Sequence, residues 1–413
     1  MTKPGTVCRV AYLSLHTSPL LRPGVGDVGG MNVYIDELAS TMHEHGVDVV
    51  VFTRRTDPEQ PREVTAAGGY RVIHIDAGPA CELPISSLPV WVAPFAQGVI
   101  DWIHLEGAPF DLVHSHYWLS GWAGLIIKHA QSIPLANSFH TLGRVKDATR
   151  RNDEPPASLI RIAAEQEVIA SSDCVIASTE REAEELLEHY GADPSRLCLN
   201  PPGVNHDLFV PGSKDDARCA LGLTGDPVVL FVGRIQPLKG VDVALDTFRR
   251  VSKEYENARF MIIGGPSGPQ GSAELDRLHD SVRDMDLVEE VRFWAAQDHH
   301  RLPVFYQAAD VILVPSRSES FGLVAAEAQA CGLPVVASRV GGLAYVVNDG
   351  VSGFLVDGWD PDDHADAVLR IIEDPRLAAD LSEGAEENAE RFSWEATAAR
   401  LLELYGGITG HGS

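Results

Sequence analysis

Positive charge is scarce in this chain: 33 Lys and Arg stand against 59 Asp and Glu, a formal net charge of −26. So acidic a surface repels polyphosphate, and no nucleic-acid partner is expected. Any phosphate-bearing ligand must be held by a few local cations or by helix N-termini. Long apolar runs are lacking too. No stretch of 18 or more apolar residues occurs, so no membrane span is expected. The opening MTKPGTVCRVAYLSLH lacks a signal-peptide layout, and its short apolar stretch reads as a first strand. Cysteine is sparse. Cys8, Cys81, Cys174, Cys198, Cys219 and Cys331 show neither a C-x-x-C pair nor a paired spacing, which points to a reduced, cytoplasmic interior. Low-complexity segments and repeats of 20–50 residues are absent as well.

What is present is an alternation. CRVAYLSL, VDVVVFT, RVIHI, FDLVHSH, PLANSFH and CVIAST read as buried strands, separated by helical patterns such as MNVYIDELASTMHEHG. PVVLFVGR, ARFMIIGG, VRFWA, DVILVPS, LPVVASR and GFLVD repeat the scheme in the second half. Alternating strand and helix predicts parallel, doubly wound α/β sheets, and two series predict two of them. The 413 residues suit two domains of about 200 residues each. The Pro- and Gly-rich NPPGVNHDLFVPGSKDD marks the boundary, giving domains 1–205 and 206–390 and a final amphipathic segment 391–413. Ser393 fits the N-cap of that last helix and Glu395 its first turn.

GVGDVGGMNVYIDELAS contains G-x-G-x-x-G at Gly24, Gly26 and Gly29. A dinucleotide fingerprint needs its first glycine directly after the first strand and an acidic residue at the end of the second. Here TSPLLRP intervenes, and Arg54 and Arg55 stand where the acid belongs. Both requirements fail. Gly24 and Gly26 are explained by a turn, whereas Gly29 and Gly30 precede a helix, where backbone N–H groups can approach an anion.

The second half is more specific. FVGRIQPLKG ends a strand, and Arg234 and Lys239 project at the carboxyl edge of the sheet, where open α/β folds bind ligands. Two cations beside a helix N-terminus suit a diphosphate. In SRSESFGLVAAEAQACGLPVVASRVGG, Glu319 and Glu327 are eight residues apart. On a helix starting near Ser320 that is about 12 Å, roughly the reach from sugar to ribose in a nucleotide-diphosphate sugar. The N–H groups of Phe321, Gly322 and Leu323 would face its phosphates. Capping and surface exposure are the structural alternative for the two glutamates.

As a set, these residues resemble the retaining GT-B glycosyltransferases of glycosyltransferase family 4, over nearly the whole chain. LHTSPL, GDVGGMNVYI, HSHYWLSG, HTLGRVK, GGPSGP and ESFGLVAAEAQACGLPVVASRVGGL are most similar to the inositol-3-phosphate N-acetylglucosaminyltransferases of mycothiol biosynthesis. Sucrose-phosphate synthases are more distantly similar. The resemblance implies two Rossmann-like domains facing across a cleft, the first for the acceptor, the second for the nucleotide sugar, with the last helix crossing back to the first.

By that resemblance Arg234 and Lys239 stabilise the departing diphosphate, so that no metal cofactor is required. Glu319 and Ser320 would serve the sugar side of the donor, Glu327 the ribose and Gln297 the base, uridine or guanosine. Gly29 and Gly30 would complete the diphosphate site on domain closure. The main-chain carbonyl of His140 would lie near the anomeric carbon; no Ser-His-Asp pattern supplies an enzymic nucleophile. His16, Asn32, Tyr117 and Thr141 match acceptor-pocket positions. Ile85 and Ile162, with Arg161 beside the latter, fall where the mycothiol enzymes carry Lys and Arg for the inositol phosphate. Trp91 and Trp122 stand nearby, with core packing as their alternative. The two lost cations favour a small, unphosphorylated polar acceptor in thiol or antibiotic biosynthesis, such as ergothioneine S-glycosylation in lincosamide pathways. The inositol-3-phosphate activity and a nucleotide-sugar epimerase are the alternatives. A homodimer is left open.

Overall fold

The computed structural model describes residues 7–24, 26, 28–151, 154–268 and 270–410. Among the described residues, fourteen strands fall into two sheets. The first contains β1 (Arg9–Leu13), β2 (Asp48–Arg54), β3 (Glu63–Thr65), β4 (Arg71–Ile75), β5 (Leu112–His116), β6 (Leu135–Ser138), β7 (Cys174–Ala177) and β8 (Leu197–Leu199). The second contains β9 (Val228–Val232), β10 (Arg259–Ile263), β11 (Val291–Trp294), β12 (Val311–Val314), β13 (Val335–Ser338) and β14 (Gly353–Val356).

Their orders are β3-β4-β2-β1-β5-β6-β7-β8 and β11-β10-β9-β12-β13-β14. All pairings are parallel except that of the short edge strand β3 with β4. Helices cover both faces of a parallel sheet, so its strands are apolar on both sides. Val228–Phe231 and Leu112–His116 are buried throughout. Strand order reverses between β1 and β5 and again between β9 and β12, and such reversals leave a crevice at the carboxyl ends.

The two halves touch. Arg151 reaches from the first to Asp242 and Glu274 in the second at 3.4 and 3.2 Å, and Arg22 reaches Asp298 at 2.6 Å. The last helix, Trp394–Thr409, starts on Ser393, whose hydroxyl accepts from Ala396 N. It lies against the helix Gly30–Glu44 of the first half, with the Trp394 and Tyr34 rings 5.6 Å apart. Deeper in, the Tyr405 hydroxyl meets His114 Nδ1 at 2.6 Å.

Cys174 on β7 and Cys198 on β8 form a disulfide. A β-α-β crossover places residues 24 apart side by side on neighbouring strands, which a search for close cysteine spacing does not detect.

Candidate active site

Loops leaving β1, β5, β9 and β12 at the two reversal points open into one cleft of about 380 Å³ between the halves. On the second half, Arg234 follows β9 after Gly233, and Lys239 ends the 3₁₀ turn Pro237–Lys239. A Cβ on Gly240 would stand 2.0 Å from the Pro315 carbonyl oxygen, so only glycine lets this turn press against the end of β12. The Lys239 ammonium lies 2.6 Å from Glu319 Oε2, both side chains about one-fifth exposed (20 % and 18 %).

The helix after Glu319 begins at Leu323, later than the sequence reading placed it. Gly322 precedes it with φ +108°, a left-handed residue that cannot belong to the helix. The eight-residue step from Glu319 to Glu327 is therefore a bend followed by little more than one helical turn. No side chain caps this helix, and Ser320, Phe321, Gly322 and Leu323 all line the cleft. Ser320 Oγ crosses to donate to the His140 carbonyl at 2.5 Å. Glu327 is buried, and both its oxygens are engaged: Oε1 is 2.8 Å from His299 Nε2, and Oε2 accepts from the Tyr306 hydroxyl at 3.0 Å. Burial lowers the His299 pKa, but Glu327, Glu37 and Asp36 together outweigh it and the net shift is upward. Gln297 lines the cleft, its amide donating to Ala295 O at 2.7 Å.

Across the cleft, Gly29 and Gly30 open the helix Gly30–Glu44. A Cβ on Gly29 would meet Arg234 Nε at 3.2 Å, and one on Gly30 would meet Leu323 Cδ1 at 3.3 Å. Two helix starts, neither capped by a side-chain hydrogen bond from its N-cap residue, thus converge on the same space beside Arg234. Gly24, read as a turn residue, also packs across the cleft: its Cβ would lie 2.9 Å from Ala296 Cβ.

His140 has φ +60° and His16 lies near it; burial holds both pKa values down to about 3, so both rings are neutral near pH 7. For His16 the charges of His140, Arg234 and Arg161 add to the burial effect. Tyr117, Thr141 and Ile85 line the same end of the cleft.

Four expected residues do not line the cleft. Asn32 is 1 % exposed and braces the loop instead: its Oδ1 accepts from Gly29 N, and its Nδ2 donates to Thr17 Oγ1 and Ser18 O. Trp91 packs against Gly78, where a Cβ would lie 2.5 Å from its ring. Trp122 packs against the core of the first half. Ile162 points its Cδ1 at Gly143, and the neighbouring Arg161 faces the cleft in its place. One residue along a helix is a rotation of about 100°, so a one-position slip exchanges a cation for an isoleucine.

Arg161 is firmly set. Its Nε pairs with Glu165 Oε1 at 2.7 Å, its Nη2 donates to Thr141 O at 3.0 Å, and its guanidinium lies 5.2 Å from the Tyr117 ring centre. Lys146 lines the cleft as well. Burial lowers its pKa; Glu154 opposes this, while Arg161 and Arg234 add to it. Lys146, Arg161, Arg234 and Lys239 thus gather in a chain of net charge −26, an arrangement suited to a polyanionic ligand.

The description "Glycosyl transferase 4-like domain" matches residues 29–203 and "Glycosyl transferases group 1" matches residues 213–388. A D-inositol 3-phosphate glycosyltransferase 2 from Catenulispora acidiphila is 48 % identical over 96 % of this chain and 94 % of its own length. The chain belongs to the group 1 glycosyltransferases. The D-inositol 3-phosphate glycosyltransferase of Thermobispora bispora is 44 % identical over 97 % of the chain and 94 % of its own. Among solved structures, a sucrose-phosphate synthase from Thermosynechococcus elongatus superposes with a TM-score of 0.90 at 32 % identity, covering 98 % of this chain and 99 % of that one. Two parallel α/β domains with this likeness are the GT-B fold. No helix among the described residues is long and apolar enough to cross a membrane.

In this glycosyltransferase the sequence reading missed His299 and Lys146, and named Arg161 only as a neighbour. Lys146 lies in the HTLGRVK segment, five residues after Thr141 on the short helix Gly143–Thr149. That spacing was the available signal for it. Nothing comparable marks His299, which reaches Glu327 only through the fold.

Proposed function

We propose that this glycosyltransferase moves a sugar, with retention at the anomeric carbon, from a nucleotide-diphosphate sugar to a phosphorylated cyclitol of the D-inositol 3-phosphate type. The observation that carries the acceptor is Arg161. Seated on Thr141 and Tyr117 and facing the cleft with Lys146 near it, its guanidinium spends Nε on Glu165 and Nη2 on Thr141 and keeps its positive charge and Nη1 to offer a phosphate. Arg161 would then stand in for one of the two cations that the sequence reads as lost. The relatives named D-inositol 3-phosphate glycosyltransferases support the same acceptor.

The donor diphosphate would lie between the helix starts at Gly29–Gly30 and Gly322–Leu323, with Arg234 and Lys239 taking up the charge that develops as the C1–O bond breaks. Counter-charge then comes from protein groups, and the step calls for no metal. The acceptor oxygen bonds to C1 on the face the diphosphate leaves, and a phosphate oxygen takes its proton. Neutral His140 adds no positive charge near C1, and its carbonyl, held by Ser320, offers a partial negative charge to the oxocarbenium-like centre. Closure between the halves would exclude water.

Ile85 favours a second reading. It lines the acceptor end without a charge, which suits an unphosphorylated polar acceptor of the thiol or aminocyclitol kind. A matrix of UDP- and GDP-sugars against inositol 3-phosphate, inositol and ergothioneine, read by mass spectrometry, separates the two. The first reading expects product only with the phosphorylated cyclitol. Product with inositol or ergothioneine and none with the phosphate would reverse it, and conversion of the donor alone would point to an epimerase.

A further inference from the structure

Glu327, the carboxylate assigned above to the ribose, has a second layer of support that belongs to both halves of the protein. His299 stands in the cleft wall with its side chain only 15 % exposed. Its Nε2 holds Glu327 Oε1 at 2.8 Å, and its Nδ1 faces Glu37 Oε1 at 4.0 Å. Glu37 lies on the helix Gly30–Glu44, the one that opens with the diphosphate glycines. We propose that His299 is a positioning residue, a doubly protonated bridge that orients Glu327 for the ribose and couples it to the helix carrying Gly29 and Gly30. The proposal rests on the donor-site reading above.

The chemistry favours the charged ring. A neutral imidazole has one donor and one acceptor nitrogen, so with Nε2 donating to Glu327 it would aim a lone pair at Glu37. An imidazolium donates toward one carboxylate and faces the other with positive charge. The groups around it are consistent. Asp36 and Glu37 face it from the helix Gly30–Glu44, and Glu327 from the helix Leu323–Ala330. Tyr306 holds the far oxygen of Glu327, and the Phe209 ring packs at 5.0 Å. Asp298, His300 and Arg301 flank it on its own turn, with Asp298 already paired to Arg22. Carboxylates on two sides outweigh burial and raise its pKa, so the charged form is lost only as pH rises above the ordinary imidazole range.

The test is calorimetric titration of UDP, and in parallel GDP, into the full-length wild type, His299→Gln, Glu37→Gln and the double variant at pH 7 and pH 9. Circular dichroism reports their folding. His299→Gln is expected to weaken nucleotide binding about tenfold at pH 7, the difference between a charged and a neutral hydrogen bond to a carboxylate. Wild-type affinity should fall between pH 7 and 9, whereas that of His299→Gln should stay level. Glu37→Gln should weaken binding less, and its effect should vanish in the His299→Gln background. Should His299→Gln fail to fold, Glu37→Gln and the wild-type pH profile carry the test. Binding within twofold of wild type, with a parallel pH profile, would overturn the inference alone. A wild type that binds neither nucleotide would remove the donor reading itself, and this inference with it.

Discussion

Lys239→Ala removes the ammonium that pairs with Glu319 at 2.6 Å beneath the two converging helix starts. Its two consequences differ in size. Both partners keep about one-fifth of their side-chain surface (20 % and 18 %), so loss of the pair costs the fold about 1 kcal/mol or less. On the proposed role, the leaving diphosphate loses much more. A unit charge about 4 Å from a developing charge, at an effective dielectric constant of about 20, contributes about 4 kcal/mol. Removal of one preorganised stabiliser from an oxyanion site costs about 100- to 1,000-fold in kcat, or about 3–4 kcal/mol. The two routes agree. The expected result is a kcat lowered about 100-fold or more at saturating donor, followed as nucleoside diphosphate release, with a melting curve close to wild type. Lys239→Arg should recover part of the rate because it restores the charge. A Lys239→Ala variant with kcat within threefold of wild type would refute the assignment.

Four other outcomes follow from the same geometry. Ile85→Lys should lower the KM for inositol 3-phosphate about tenfold by adding a phosphate contact, and leave any turnover of inositol unchanged; equal effects on both acceptors would place residue 85 outside the phosphate site. Asn32→Ala, which strips the brace on Gly29, Thr17 and Ser18, should cost about 2 kcal/mol in denaturant titration and raise KM for donor and acceptor together. Tyr405→Phe leaves buried His114 Nδ1 without its partner and should cost about 1–3 kcal/mol, with no cost meaning that the last helix is held by its apolar face alone. Burial raises the Glu182 carboxyl to about 7, so its contribution to stability is complete below the ordinary carboxyl range near 4.5 and is lost as pH rises through about 7. Glu182→Gln should therefore be more stable than wild type at pH 8 and no more stable at pH 4.5, and a difference independent of pH would contradict the shift.

Much of the fold is legible in the chain because buried parallel strands are continuous apolar runs. β1, β2, β4–β7 and β9–β14 were all read as strands, most of them as such runs, though β5 (LVHSH) and β6 (LANS) bury polar residues as well. β3 and β8 escaped the reading: each has three residues on or beside a sheet edge, too few for any periodicity. The wall of the cleft carried by the second half was legible for a related reason. Arg234, Lys239, Glu319 and Glu327 follow strand ends closely, so sequence order nearly fixes their place. The wall carried by the first half was not. Whether Arg161 or Ile162 faces the cleft depends on helix phase, and Trp91 and Trp122 are conspicuous in sequence yet pack away from it. Asn32 looked like a ligand-binding side chain because it follows the glycine loop. It holds that loop from within instead. Contacts such as His299 to Glu327 and Tyr405 to His114 join residues 28 and 291 positions apart, and no local pattern announces them.

The most direct measurement is a proton NMR time course with a UDP-sugar, inositol 3-phosphate and the purified protein. Transfer with retention predicts loss of the donor anomeric signal, release of UDP, and a new glycoside signal with the small coupling constant of an α-anomer. A β-anomer would contradict retention. An unchanged mixture with the phosphorylated cyclitol, alongside transfer to an unphosphorylated acceptor, would contradict the acceptor and return the decision to Ile85.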